Sequence, residues 1–156
     1  MAKDITQEEL QNRIIDAGLL PPESLTMMIT GACNLHCPHC LLECGQGDET
    51  LSVPSDRLKR IITEFIGLGG KNLCLTGGEP LMHPDWLEIL RFSCEQPDLH
   101  EVCMQTNASL IHEDTVRDLL SLPPDKFLLQ VSLDGATPGT NDRIRGKGRF
   151  LSLIHI

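Results

Sequence analysis

Leu25-Thr26-Met27-Met28-Ile29-Thr30-Gly31-Ala32-Cys33-Asn34-Leu35-His36-Cys37-Pro38-His39-Cys40 is a short apolar run that breaks at a glycine and opens into three closely spaced cysteines. The run reads as a strand over Ser24–Ile29, entered through the chain-breaking Pro21-Pro22. The cysteines follow it as C-x3-C-x2-C. Three thiolates in so short a loop suit three irons of an iron–sulfur cubane, leaving the fourth iron without a protein ligand; an electron-transfer cluster takes four cysteines. An open coordination position is how a metal site is arranged for chemistry on a substrate. A closed tetrahedral zinc site on Cys33, Cys37, Cys40 and Cys44 is the other reading of these residues. Cys44 could instead cap the fourth iron, although its separation from the compact trio favours an incidental thiol.

A second stretch, Leu73-Cys74-Leu75-Thr76-Gly77-Gly78-Glu79-Pro80, is an apolar strand ending in two glycines, an acid and a proline. Glycine lets backbone approach a ligand with no side chain between them. Proline stiffens the exit and cannot continue the strand. Glu79 then stands at the C-terminal end of a strand, where α/β folds place their ligands, and a carboxylate there suits a cationic amine. The competing reading is an ordinary strand-to-helix turn with Glu79 favouring a helix N-terminus.

Outward from these stretches the chain alternates. Thr6 to Gly18 reads as a helix with Thr6 and Glu9 as a capping box. Val53-Pro54-Ser55 opens a helix with Leu58, Ile61, Ile62, Phe65 and Leu68 at helical spacing, closed by Gly69-Gly70. Lys71–Thr76 is the second strand, and His83-Pro84-Asp85 starts a helix carrying Leu87, Leu90 and Cys94. Glu101–Thr106 is the third strand, His112–Leu120 a helix stopped by Pro123-Pro124, and Phe127–Leu133 the fourth strand. Strand and helix in alternation with short links imply right-handed βαβ units and a parallel sheet. The pattern stops after the fourth strand, which leaves an apolar sheet edge without a neighbour. Cys74, Cys94 and Cys103 fall in apolar strand or helix patterns and read as small buried hydrophobes.

The cysteine loop after the first strand and the Gly-Gly-Glu-Pro turn after the second together resemble the radical S-adenosylmethionine (SAM) enzymes, over about Leu25 to Phe150. The resemblance implies an α/β fold, a partial (β/α)6 TIM-like barrel of which about the first four β/α units are present. It implies a [4Fe–4S] cluster on Cys33, Cys37 and Cys40, and S-adenosyl-L-methionine chelating the open iron through its methionine amine and carboxylate. Reductive cleavage then yields methionine and a 5′-deoxyadenosyl radical that takes hydrogen from a substrate. A small electron donor such as flavodoxin or ferredoxin is the implied partner.

Site residues carry over position by position. Gly77, Gly78 and Glu79 fall on the turn that contacts the methionine moiety in relatives. Asn107, Ser132 and Asp134 fall at strand ends that face the ribose and the methionine carboxylate, Ser132 being the better placed of the latter two. Asn107 and Asp134 also suit plain turn formation. The residue before the third cysteine is usually aromatic in the family; here it is His39, whose flat ring could serve similarly near the adenine. His36 reads as a solvated loop residue. The stretch Asn141-Asp142-Arg143-Ile144-Arg145-Gly146-Lys147-Gly148, following Ser-Leu-Asp-Gly-Ala, is similar to SPASM-type enzymes that modify peptides or proteins. Arg145 there could pair with the SAM carboxylate, or lie in a solvated loop. A peptide- or protein-modifying maturase is the first expectation; an enzyme of haem or molybdopterin-type cofactor biosynthesis is the second. A zinc-binding interaction module without catalysis is the reading from another class.

Bulk properties bound these readings. The chain has 156 residues, is 40% hydrophobic and lacks an apolar run long enough to span a membrane. A net charge of −9 argues against nucleic-acid and anionic-membrane surfaces. Seven cysteines, with no apolar export signal in Met1-Ala2-Lys3-Asp4-Ile5-Thr6, fit the reducing cytoplasm. Residues 1–23 are expected to form a helical lead-in, 24–150 a truncated core domain, and 151–156 a non-native tail. Leu151-Ser152-Leu153-Ile154-His155-Ile156 matches one frame of a common transposase-derived sequencing adapter, the plain alternative being the apolar start of a helix. With the barrel wall incomplete, the chain alone is expected not to turn over a substrate. Other codons than the adapter's at 151–156 in the source DNA would rule that origin out.

Overall fold

The structure, a computed structural model, describes residues 5–41, 44 and 52–155. The chain start before residue 5, the segment 45–51 and Ile156 of the expected tail lie outside them. Four parallel strands pair in the order β1-β2-β3-β4: β1 Ser24–Thr30, β2 Asn72–Gly77, β3 Glu101–Thr106 and β4 Phe127–Val131. Helices α2 (Ser55–Gly67), α3 (Trp86–Glu95) and α4 (Glu113–Leu120) form the crossovers, and α1 (Gln7–Asp16) precedes the first strand. Strands in sequence order mean that every crossover steps the same way, so the helices collect on one face. This is an α/β arrangement, a four-stranded parallel sheet that does not close into a barrel among the described residues.

Burial alternates with the period of two that a half-covered sheet demands. Met27, Ile29, Leu73, Leu75, Val102 and Met104 point to the helices and pack with Leu58, Ile62 and Phe65 of α2 and Ile89, Leu90 and Cys94 of α3. Truncating a fully buried member such as Ile62 or Leu75 costs about 2–5 kcal/mol. A surface pair such as Arg60–Glu64, at 3.3 Å, is worth about 0.3–0.5 kcal/mol. Packing therefore holds the sheet to its helices. The opposite face carries Thr26, Met28, Cys74, Thr76, Gln105, Leu128 and Gln130, none of them in the buried cluster. At the β4 edge Leu128 is 49% and Val131 36% exposed, the apolar edge expected from the sequence.

Element ends differ from expectation where local hydrogen bonding overrides pattern. The capping box of Thr6 and Glu9 is present and α1 follows it. Pro80–Met82 forms a 3-10 turn before α3, delaying that helix to Trp86. His83 is responsible: buried, it bonds the Val53 carbonyl through Nε2 (2.8 Å) and accepts from the Asp85 N–H through Nδ1 (3.0 Å). After β4 two helices appear, α5 (Pro138–Arg145) and α6 (Arg149–Ile154), where the sequence reading ended its regular pattern. The signal for α5 is a capping box of Thr137 with Thr140 and a proline at the first helical position. Arg145 accordingly closes a helix rather than lying in a loop.

The strand exits are fastened beyond the regular ladder. Gly78 N–H donates to the Thr30 carbonyl (2.8 Å) and Glu79 N–H to the Ala32 carbonyl (2.7 Å). A Cβ on Gly78 would lie 2.1 Å from the Ala32 oxygen, and one on Gly77 2.4 Å from the Thr30 oxygen. Glycine is required there by the neighbouring backbone. Gly78→Ala is expected to lower stability by about 1–3 kcal/mol in urea unfolding. Gly139→Ala on α5, whose Cβ meets nothing within 4 Å, should be neutral or stabilising by up to about 1 kcal/mol.

Candidate active site

At the C-terminal ends of the strands one cavity of about 160 Å³ is lined by Cys33, Leu35, Cys37, His39, Cys40, Thr76, Gly77, Gly78, Gln105, Thr106, Asn107, Ser132 and Arg145. Nine of the eleven residues singled out from the sequence thus converge, on five different segments of chain. Glu79 and Asp134 stand behind the lining. Thr76, Gln105 and Thr106 were not singled out; period-two alternation from Cys74 and Cys103 would have placed Thr76 and Gln105 on the helix-free face.

The cysteine loop leaves β1 after a register shift between Met28 and Thr30. Buried Thr30 accepts from the Ala32 N–H (3.1 Å) and from the Ser52 hydroxyl (2.9 Å), turning the chain. Within the loop Cys40 N–H donates to the Cys37 carbonyl (3.0 Å). Asn34 fastens the loop to the β3 exit: its amide donates to the Ser109 hydroxyl (2.8 Å) and accepts from the Asn107 amide (3.0 Å). Asn107 Oδ1 accepts from the Ser109 N–H (2.9 Å). The Asn107 side chain is therefore occupied in holding the loop, while the residue itself lines the cavity.

Burial pushes the Cys33 thiol up, offset in part by the Leu35 N–H that donates to its sulfur (3.5 Å). Burial likewise raises Cys37, and the nearby Arg145 cation pulls the other way. Cys44 is raised by burial and by its proximity to Cys40. Among the described residues no three His, Cys, Asp or Glu side chains converge closely enough to hold a single metal ion. Cys33, Cys37 and Cys40 line one cavity together and are the thiols available there to an iron–sulfur group.

Glu79 is fully buried and its carboxylate is a hub. Oε1 accepts from the Thr106 hydroxyl (2.6 Å) and the Leu81 N–H (3.2 Å), and Oε2 from the Asn107 N–H (2.8 Å). Burial pushes its pKa up while these three bonds and Arg145 pull it down, the rise winning. Rather than standing open to an amine, the carboxylate ties the β2 exit to the β3 exit. Asp134 forms an ion pair with Arg145 (Oδ2 to Nε, 2.5 Å), with His39 Nε2 3.7 Å from the same oxygen. Ser132 donates its N–H to the Thr106 carbonyl (3.0 Å), extending the β3–β4 pairing to the cavity rim.

The family model of the radical SAM superfamily matches residues 27–153. An AdoMet-dependent heme synthase from Methanosarcina barkeri is 35% identical over 130 residues, 80% of this chain and 35% of the relative. Mycofactocin maturase MftC from Mycobacterium ulcerans is 35% identical over 145 residues, 88% of this chain and 36% of the relative. The chain thus spans about a third of the length of these relatives. Among solved structures, native anSMEcpe with bound AdoMet and Cp18Cys peptide superposes with a TM-score of 0.61 at 26% identity, covering 86% of this chain and 38% of that one.

Two outcomes follow from the site's hydrogen bonds and thiols. Glu79→Ala leaves three donors unpaired and is expected to cost about 2–4 kcal/mol in urea unfolding. Burial pushes Cys94 up to about 11 and Cys103 up to about 12. A raised pKa means less thiolate at a given pH, so on the order of one thiol in a thousand or fewer is ionised at pH 8. A short iodoacetamide pulse at pH 8 on the native apo chain should leave both unmodified by mass spectrometry until denaturant is added.

Proposed function

Because the chain belongs to the radical SAM superfamily, we propose that it forms the cluster- and SAM-binding part of an enzyme that starts radical chemistry on a peptide or protein substrate. The observation that carries this reading is the convergence of Cys33, Cys37 and Cys40 on a cavity shared with Gly77, Gly78, Asn107, Ser132 and Arg145. Cys33, Cys37 and Cys40 would hold a [4Fe–4S] cluster, which when bound, and reduced by a donor such as flavodoxin or ferredoxin, would supply the electron for splitting SAM. The remaining work is binding and exclusion of water by the protein.

Each residue has a role in that work. Gly77 and Gly78 bring backbone to the cavity wall with no side chain between. Arg145 offers its guanidinium to the methionine carboxylate, Ser132 lines the same cavity, and His39, also in the lining, is the residue assigned to the adenine. Glu79 fixes the turn from behind the cavity wall, where its carboxylate holds the β2 and β3 exits together. The loop must lose its thiol protons to load iron, and burial has raised two of them, so loading is favoured as the pH rises.

The likeness to a maturase and to a peptide-bound structure supports a peptide substrate. The equal likeness to a heme synthase supports cofactor biosynthesis as the second reading. No helix among the described residues is long and apolar enough to cross a membrane.

Anaerobic reconstitution with iron and sulfide tests the proposal. The chain should take up a cubane, and the spectrum of the reduced cluster should change on adding SAM. Alanine at Cys33, Cys37 or Cys40 should abolish the cubane; Cys44→Ala should retain it. Stoichiometric zinc with no cubane would instead support the interaction module.

A further inference from the structure

We propose that Asp134 is a positioning residue: it does not touch the cofactor but holds the Arg145 guanidinium in the orientation that receives the cofactor's carboxylate. This rests on the reading above of Arg145 as the carboxylate's partner. Arg145 lines the cavity and Asp134 does not. The two meet through Nε of the guanidinium and Oδ2 of the carboxylate, 2.5 Å apart, with Arg145 side chain 13% and Asp134 25% exposed. The contact is an ion pair rather than an aligned hydrogen bond, and neither atom has a hydrogen-bond partner. A guanidinium carries five N–H donors in a rigid fork; a carboxylate held against its Nε side draws the charged group to that place and leaves the Nη end to a ligand.

Asp134 is itself held. Its N–H donates to Oδ1 of Asn141 (3.0 Å), which is fully buried on α5. Asn141 and Arg145 are four residues apart on that helix and so share a face. One turn of α5 thus grips Asp134 by its backbone and, at the next, receives its carboxylate. The following residue, Gly135, allows the approach: a Cβ there would lie 2.6 Å from the Asn141 nitrogen and 2.3 Å from the Thr140 hydroxyl. Through His39 the same oxygen also reaches the cysteine loop, at 3.7 Å. Asp134 therefore joins the β4 exit, α5 and the loop at one point.

Two effects of Asp134 on a ligand carboxylate oppose each other. It competes for the Arg145 charge, and it immobilises a long side chain at the end of an eight-residue helix. Immobilisation wins because the ion pair uses Nε alone, which leaves the Nη donors uncontested, and because no other charged side chain among the described residues pairs with Arg145.

The test uses the full chain, anaerobically loaded with iron and sulfide, with equilibrium binding of SAM and of decarboxylated SAM measured by calorimetry. Asp134→Asn should weaken SAM about tenfold and leave the decarboxylated analogue within about twofold. Arg145→Ala should do the same, and the double variant should be no weaker than Arg145→Ala alone. The unchanged analogue shows that the variant site is folded and loaded. Should Asp134→Asn take up no iron, Arg145→Lys carries the test: it keeps the charge and lacks Nε, and should also lose about tenfold for SAM only. Asp134→Asn or Arg145→Lys binding SAM as tightly as the wild type, or Asp134→Asn losing both ligands equally, overturns the inference. A loaded wild-type chain that binds no SAM overturns the functional reading and takes this inference with it.

Discussion

Two backbone hydrogen bonds, Gly78 N–H to Thr30 O and Glu79 N–H to Ala32 O, decide whether this chain has a site at all. Regular pairing of β1 with β2 ends at Thr30 and Gly77, and the cysteines begin three residues later. Without the extra bonds the loop would leave the sheet in any direction that solvent allowed. With them, the segment Gly31-Ala32 is laid along the glycine turn so closely that no side chain fits between. The two sequence features that stand out, a cysteine loop and a glycine turn, are thus two sides of one contact.

Glu79 carries the same logic to the next strand. A fully buried carboxylate is costly unless its oxygens are satisfied. Here three donors from the 3-10 turn and the β3 exit satisfy them, and the cost is recovered as fixed geometry: β2 and β3 cannot slide without breaking the set. Because burial still outweighs those bonds, the folded chain holds this proton to higher pH than the unfolded chain does. Its contribution to stability is therefore present at low pH and is lost as the pH rises through the folded value.

The sequence made the sheet legible because one face is covered: Leu73, Leu75, Val102 and Met104 alternate with residues that face away from the helices. It made the cysteine loop legible because thiols at that spacing have few other uses. Three things were hidden. His83 looks like a helix-starting residue and is instead a buried link to Val53, and the helix starts later for that reason. Glu79 reads as an exposed acid because burial of a charge depends on donors from a strand that lies more than twenty residues on. Helix α5 has a polar composition, so hydrophobic period says nothing of it; only its cap and its proline speak, and both are short signals. The pairing of Asp134 with Arg145 required that helix to be known first.

Charge closes the account of the site. Around the cavity the carboxylates of Glu79 and Asp134 face a single guanidinium, Arg145, whose field is felt by Glu79 and by Cys37. Iron loading would add three thiolates to that neighbourhood and release their protons. In the apo chain the thiols respond as burial dictates, holding protons to higher pH than free cysteine does. A [4Fe–4S] core would offset most of that charge, and the net negative charge left on core and thiolates would favour keeping the Arg145 cation nearby. The guanidinium, already balanced by Asp134 through Nε, then keeps its outer donors for a carboxylate that arrives with a ligand. On the proposed reading, one cation would serve two anions because they would meet different edges of the same plane.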